Sequence, residues 1–153
     1  MSDAEAKDLL AKVGSDCPFF WENKPMFVFG RGEKMRPIDL DLSDYYILIV
    51  NPNIHISTKE AYAGVKPSPP AIDLEMIPSI EVDGWKDILV NDFEASIFPS
   101  YPIIRGIKEE LYNRGALYAS MTGSGSTLYG IFRDLPDEEP FREYMTWKGR
   151  LTF

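Results

Sequence analysis

The chain has 153 residues, of which 44% are hydrophobic and 13% aromatic, enough for a packed core in one domain or in one domain and part of another. Its formal net charge of −8, without a basic stripe, argues against nucleic-acid binding. The single cysteine excludes an internal disulfide and favours the cytoplasm, and the sequence shows neither a signal peptide nor an apolar run long enough for a membrane span.

The chain begins with a predicted amphipathic helix. Apolar side chains recur at helical spacing over residues 4–13, Ser2 or Asp3 can cap the first turn, and Gly14 can end the helix.

A β-hairpin is predicted next. Two short aromatic segments, residues 19–21 and 26–29, are interpreted as its strands, and residues 30–33 end the second strand. An acidic connector follows at residues 39–44, and we place a domain boundary near Leu42 or Ser43.

The middle of the chain predicts a buried strand and a short helix. Residues 45–50 form a continuous apolar run, which is typical of a strand covered on at least one face. Ser57 and Glu60 have the spacing of a capping box, so a helix carrying Tyr62 should begin there. The proline-rich residues 66–70 should end it in a surface loop.

Residues 91–94 are interpreted as the start of a helical stretch that Pro99 and Pro102 interrupt, with its acids placed to favour the helix macrodipole. The clearest helix is predicted over residues 101–113, with Gly115 as its C-terminal cap. Its apolar stripe consists of Ile103, Ile104, Ile107 and Leu111.

Two strands, residues 116–121 and 128–132, are predicted on either side of a Gly/Ser-rich turn. An acidic segment, a short helix and a basic end at residues 148–150 complete the chain. Because strands and helices mix without regular alternation, the fold class predicted is α+β.

The Gly/Ser-rich turn, which contains Gly123, Ser124 and Gly125, is the first candidate site. Glycines let a backbone approach a ligand closely, and consecutive N–H groups in such a turn can converge on an anion. The same composition also suits a tight hairpin without any ligand. The turn matches neither the Walker A pattern nor G-x-G-x-x-G.

A second candidate is Asp16, which follows the first helix and precedes Cys17 and three aromatic residues. A carboxylate there could accept a proton from an attacking hydroxyl, or it could be a turn residue bonded to its own backbone. Cys17 is interpreted as a small buried hydrophobe.

The third candidate is residues 53–62, a polar strand exit followed by a capped helix. Tyr62 could offer a stacking ring or could belong to the core. His55 is interpreted as a surface histidine, and because it is the only histidine and no cysteine pair exists, no metal site is predicted.

The order and spacing of five segments are more specific than any one of them. LLAKVGSDCPFF (9–20), GRG (30–32), NPNIHISTKEAY (51–62), NDFE (91–94) and MTGSGSTLYGIF (121–132) together resemble the back half of the 4-diphosphocytidyl-2-C-methyl-D-erythritol kinases, a family of the GHMP kinase superfamily. The resemblance covers essentially the whole chain. It implies a GHMP-kinase type fold, in which a ferredoxin-like C-terminal domain (residues 43–153) follows the tail of an N-terminal domain (residues 1–42).

The resemblance also implies an activity, the transfer of the ATP γ-phosphoryl group to the 2-hydroxyl of 4-diphosphocytidyl-2-C-methyl-D-erythritol in non-mevalonate isoprenoid biosynthesis. By motif, Asp16 resembles the catalytic aspartate, and Gly123, Ser124 and Gly125 resemble the loop that lines the phosphate-transfer site. Thr58 and Tyr62 resemble the segment that contacts the cytidine end of the substrate. ATP, with magnesium, is the implied cosubstrate.

The family's glycine-rich ATP-cradling motif is nowhere in these residues, and neither is the lysine that pairs with the catalytic aspartate. Residues 1–5 resemble an internal part of the family pattern, at the start of the helix that leads to Asp16. We therefore expect Met1 to be an internal position of the pattern and these residues alone not to turn over. Two alternatives stay open: a non-catalytic binding module derived from such a kinase, and a GHMP kinase for another small alcohol.

Overall fold

The computed structural model describes residues 2–14, 16–30, 32, 34–66, 68–70 and 72–152. Several residues used above, namely Met1, Ser15, Arg31, Glu33 and Pro67, lie outside the described residues. The elements before the main sheet are α1 (Asp3–Val13), α2 (Cys17–Glu22), β1 (Met26–Phe29) and β2 (Lys34–Pro37). Those that follow are β3 (Tyr46–Asn51), α3 (Thr58–Gly64), α4 (Glu94–Ser100), α5 (Pro102–Asn113), β4 (Tyr118–Met121), β5 (Leu128–Phe132) and β6 (Met145–Arg150).

Helix α1 confirms the predicted first helix. The Ser2 hydroxyl accepts a hydrogen bond from the Glu5 amide, and the Glu5 carboxylate accepts one from the Ser2 amide, which makes a complete capping box. The Gly14 amide closes the last turn by donating to the Leu10 carbonyl.

The predicted strand at residues 19–21 is wrong, because these aromatics lie in helix α2. Pro18 occupies the first turn of α2, where a missing N–H costs nothing, and Asn23 ends the helix in the left-handed region with φ of 47°. Strand β1 instead pairs with β2, and Gly30, with φ of 72°, lies in the turn between them.

Strands β3 to β6 form a four-stranded sheet of order β4–β5–β3–β6 in which every neighbouring pair is antiparallel. Numbered within the sheet, this is the 4-1-3-2 order of a ferredoxin-like fold, so the predicted α+β class is confirmed. A short 3₁₀ turn, Glu139–Phe141, stands where the second crossover helix of that fold would lie.

Both faces of the sheet are covered. On one face, alternate residues of the strands pack against α4 and α5 around the fully buried Leu48, Ile104 and Leu111. On the other face, two 3₁₀ segments, Leu74–Ser79 and Val82–Asp87, bring Trp85 against Tyr118. This double coverage explains why the apolar run at residues 45–50 has no polar alternation.

Helix α5 differs from its prediction in two details. Pro99 lies inside α4, and Tyr101 separates α4 from α5, so Pro102 is the first residue of α5. Ile103 was predicted to belong to the apolar stripe, but its side chain is 46% exposed, whereas the other three members are buried. Gly115, with φ of 90°, ends the helix as predicted, and the amides of Gly115 and Ala116 donate to the carbonyls of Tyr112 and Leu111.

The sequence reasoning missed strand β6, which it interpreted only as a basic end. Gly149 lies inside this edge strand, and glycine is a weak strand former. In the fold the Trp147 ring lies over Gly149, so that a Cβ at Gly149 would be 2.8 Å from a ring atom. The aromatic cover and the pairing with β3 stabilise a segment whose own sequence is uninformative.

Candidate active site

The Gly/Ser-rich turn forms the loop between β4 and β5. The Thr122 amide donates to the Thr127 carbonyl at 2.8 Å, and the Gly125 amide donates to the Thr122 carbonyl at 3.1 Å. Gly123 and Gly125 have φ of 51° and 105°, values that residues other than glycine rarely adopt. Among the described residues, the amides of Gly123 and Ser124 have no hydrogen-bond acceptor, so both are available to an anion.

One side of this loop packs on the segment that leaves β3. A Cβ at Gly125 would be 3.1 Å from Ile56 Cδ1 and equally close to Met121 Sδ, so a side chain here would require these neighbours to move by a few tenths of an ångström. The Ser126 hydroxyl donates to the Ile54 carbonyl at 2.6 Å. Between the two segments lies an open cleft of about 240 Å³ with a mostly polar lining, which includes Asn53 and Thr127.

Helix α3 carries the two residues predicted to contact the substrate. Ser57 caps it by accepting from the Glu60 amide at 3.1 Å, but the reciprocal half of the predicted capping box is missing. The Glu60 carboxylate instead accepts from the Tyr101 hydroxyl at 2.7 Å, and this hydrogen bond raises the pKa of the Tyr101 phenol. Thr58 and Tyr62 are both exposed, so the Tyr62 ring can stack on a ligand.

The segment before α4 connects Tyr62 to the loop, and sequence reasoning missed this. The Tyr62 ring meets the Phe93 ring edge-on, with 5.0 Å between the centroids. The Phe93 amide donates to Asn91 Oδ1, and Asn91 Nδ2 donates to the carbonyls of Met121 and Gly123 at 2.7 and 2.9 Å. The fold thus brings Tyr62 and the Gly/Ser-rich turn together through residues 91–93.

Glu94 holds the same end of strand β4, where the strand leads into the loop. It is 5% exposed, and its carboxylate accepts from Lys108 Nζ at 2.5 Å, from the Met121 amide at 2.8 Å and from the Ser120 hydroxyl at 3.2 Å. Sequence reasoning took this acid for a macrodipole residue at a helix start. It does lie in the first turn of α4, but its partners come from β4 and α5.

Asp16 stands apart from these residues in the chain. It occupies the N-cap position of α2 in helical conformation, its side chain is exposed, and its carboxylate does not cap that helix. Its predicted place opposite the Gly/Ser-rich turn stays a prediction.

The available donors of the loop suit a phosphate group. Unpaired loop amides and the hydroxyls of Thr122 and Ser124 are groups that phosphate oxygens accept from. The described ranges contain no group of three or more His, Cys, Asp or Glu side chains that could hold a metal ion. Within the same ranges, no helix combines the length and apolarity required to cross a bilayer.

Residues 75–149 match the family model described as GHMP kinases C terminal. Over 151 residues the chain is 42% identical to the 4-diphosphocytidyl-2-C-methyl-D-erythritol kinase of Parabacteroides distasonis, covering 97% of this chain and 56% of the relative. It is 50% identical over 148 residues to the protein of that name from Azobacteroides pseudotrichonymphae, covering 96% and 54% of the two chains. The chain is homologous to these kinases, and its residues 75–149 match the C-terminal domain of GHMP kinases.

A crystal structure of 4-(cytidine 5'-diphospho)-2C-methyl-D-erythritol kinase has the same fold, with a TM-score of 0.75 at 24% identity over 92% of this chain and 56% of that one. The chain spans about half the length of the curated relatives it matches. The matched residues 75–149 include Asn91, Glu94 and the Gly/Ser-rich turn. Asp16, Thr58 and Tyr62 precede them.

Proposed function

We propose that this chain is the C-terminal portion of a kinase that transfers the γ-phosphoryl group of ATP to the 2-hydroxyl of 4-diphosphocytidyl-2-C-methyl-D-erythritol. The observation that carries the proposal is the Gly/Ser-rich turn, whose Gly123 and Ser124 amides lack acceptors in the described structure and which Asn91 ties to the Tyr62 side of the site. The homologous kinases are named for this activity. We propose that this kinase acts in the cytoplasm, in non-mevalonate isoprenoid biosynthesis.

Each predicted residue has a distinct proposed role. The Asp16 carboxylate accepts the proton of the 2-hydroxyl as its oxygen bonds to the γ-phosphorus and the bond to ADP breaks. The amides of Gly123 and Ser124 face the negative charge on the phosphoryl oxygens, and Gly125, whose amide donates to the Thr122 carbonyl, shapes the loop. Thr58 donates to the cytidine end and Tyr62 stacks on its base. Magnesium, when bound with ATP, neutralises part of the phosphate charge.

We propose residues 1–42 as the end of the N-terminal kinase domain and residues 43–153 as the C-terminal domain. Large apolar side chains of the first segment support this, since Phe20 is 74% and Trp21 51% exposed and both suit contact with further protein. The ATP-cradling motif would belong to that domain, so we propose that these 153 residues do not turn over alone.

The test is a chimera in which the front part of the Parabacteroides distasonis kinase precedes this chain. ADP release with the diphosphocytidyl substrate is expected from the chimera and not from the chain alone. In the chimera, Asp16→Asn should lower kcat by about 100-fold or more, with KM for the diphosphocytidyl substrate changed less than about threefold. Asp8→Asn, on an exposed position of α1, is the matched control.

Unchanged turnover in Asp16→Asn would remove this residue from the reaction. Calorimetry together with ADP-release assays on other alcohols separates the two alternatives stated above. Tight binding of the diphosphocytidyl substrate by a chimera that never releases ADP would indicate a binding module. Turnover only with other alcohols would indicate a GHMP kinase of different specificity.

A further inference from the structure

The Asn91 carboxamide has one arrangement that satisfies all its hydrogen bonds. Its Oδ1 accepts from the Phe93 amide at 3.0 Å, and its Nδ2 donates to Met121 O and Gly123 O at 2.7 and 2.9 Å. An amide nitrogen has two N–H donors, so these two carbonyls use both. The exchange of oxygen and nitrogen would break all three bonds, which fixes the direction of the side chain.

We call the two hydrogen bonds from Asn91 Nδ2 to Met121 O and Gly123 O the clamp. The clamp orients a backbone N–H that Asn91 does not contact. In a trans peptide the C=O of one residue and the N–H of the next point in opposite directions in one rigid plane. The Gly123–Ser124 peptide is trans, so a Gly123 carbonyl held by Asn91 directs the Ser124 amide to the opposite side of the loop. That amide has no acceptor in the described part of the chain.

The second bond of the clamp holds the base of the loop. The Met121 carbonyl, held by Asn91, lies in one peptide plane with the Thr122 amide, which donates across the loop to the Thr127 carbonyl. The two bonds together fix the start of the loop and the first plane after its glycine. Gly123, which has the widest conformational freedom in this stretch, would otherwise leave that plane free to rotate.

We propose that Asn91 is a positioning residue that directs the Ser124 amide at the phosphoryl group being transferred, an inference that rests on the function proposed above. Because Phe93 both donates to Asn91 and contacts Tyr62, the same segment sets the loop relative to the nucleotide end of the substrate. Asn91 itself touches no reacting atom in this scheme. It acts through the backbone of Gly123 and Ser124.

Two substitutions separate positioning from folding. Asn91→Asp and Asn91→Ser both keep an oxygen that can accept from the Phe93 amide. The Asp carboxylate has no donor, and the single hydroxyl of the shorter Ser side chain cannot replace both N–H donors to the loop. Asn113→Asp, at the exposed end of α5, is the matched control for the change of charge. In the chimera, kcat should fall by about 100-fold in both variants, with KM for the diphosphocytidyl substrate changed less than about threefold. Asn91→Ser, which adds no charge, decides the test if Asn91→Asp does not fold.

An NMR titration with inorganic pyrophosphate gives a readout besides turnover. In the ¹⁵N-labelled chain, pyrophosphate should shift the Ser124 amide resonance, and the Asn91 variants should lose that shift while Asn113→Asp keeps it. An unchanged kcat, or a Ser124 response that persists in the variants, would overturn the proposal. If the parent chimera releases no ADP but the Ser124 response depends on Asn91, the substrate assignment fails and the positioning role stands.

Discussion

Lys108→Met is expected to lower the free energy of unfolding by about 3 kcal/mol, because it leaves a buried carboxylate without its cation. Glu94 is 7% and Lys108 20% exposed at the side chain, so neither charge is well hydrated in the fold. The Met121 amide and Ser120 hydroxyl still donate to Glu94 in the variant, but they are neutral groups and cannot balance its charge.

Removing the charge of Glu94 instead should lower the free energy of unfolding less. In Glu94→Gln the side-chain oxygen can still accept from the Met121 amide, and the partly exposed Lys108 ammonium can turn towards water. We expect a loss of about 1–2 kcal/mol. The double variant should lose less than the sum of the two, because one substitution removes the charge that the other leaves unpaired.

Urea unfolding followed by tryptophan fluorescence measures these differences, since Trp85 is buried in the core. Arg142→Met is the matched control. Its ion pair with Glu139 is 74% and 69% exposed, so its loss should cost less than about 0.5 kcal/mol. If Lys108→Met were as stable as Arg142→Met, the pair would contribute nothing to the fold and the reasoning would be refuted.

Two glycine substitutions should act in opposite directions. Gly106→Ala, in the interior of α5 with open space around its Cβ position, should stabilise the chain by about 0.8–1 kcal/mol. Gly125→Ala, with φ of 105° and its Cβ 3.1 Å from Ile56, should destabilise the chain by about 1–3 kcal/mol. Urea midpoints that move in the same direction in both variants would contradict this. Burial raises the pKa of the Tyr129 phenol, with the Tyr118 hydroxyl as a further cause. A phenol whose pKa is raised in the fold contributes stability below the unfolded pKa of about 10, and this stability is lost as pH rises through the folded pKa. Tyr129→Phe should therefore reduce the loss of stability above about pH 10. Equal urea midpoints of the variant and the parent at alkaline pH would count against this.

The sequence predicted the elements whose signals are local. The stripe of α5, the Gly115 cap and the strands on either side of the Gly/Ser-rich turn depend on residues a few positions apart. Apart from the exposed Ile103, the structure has them where the sequence predicted them. The need for glycine at positions 123 and 125 is likewise a property of the backbone at those positions. Together with the order of the motifs, these features were enough to indicate the family.

What only the tertiary structure decided concerns contacts between distant segments. Residues 17–22 form a helix although their aromatics suggest a strand, and β6 exists because β3 offers an unpaired edge. Asn91 reaches carbonyls 30 and 32 residues away, and Glu94 an amide 27 residues away. An asparagine and a glutamate at a helix start have the same local signal whether they face water or hold a loop, because only the packing of β4 against α4 and α5 removes the water and supplies their partners.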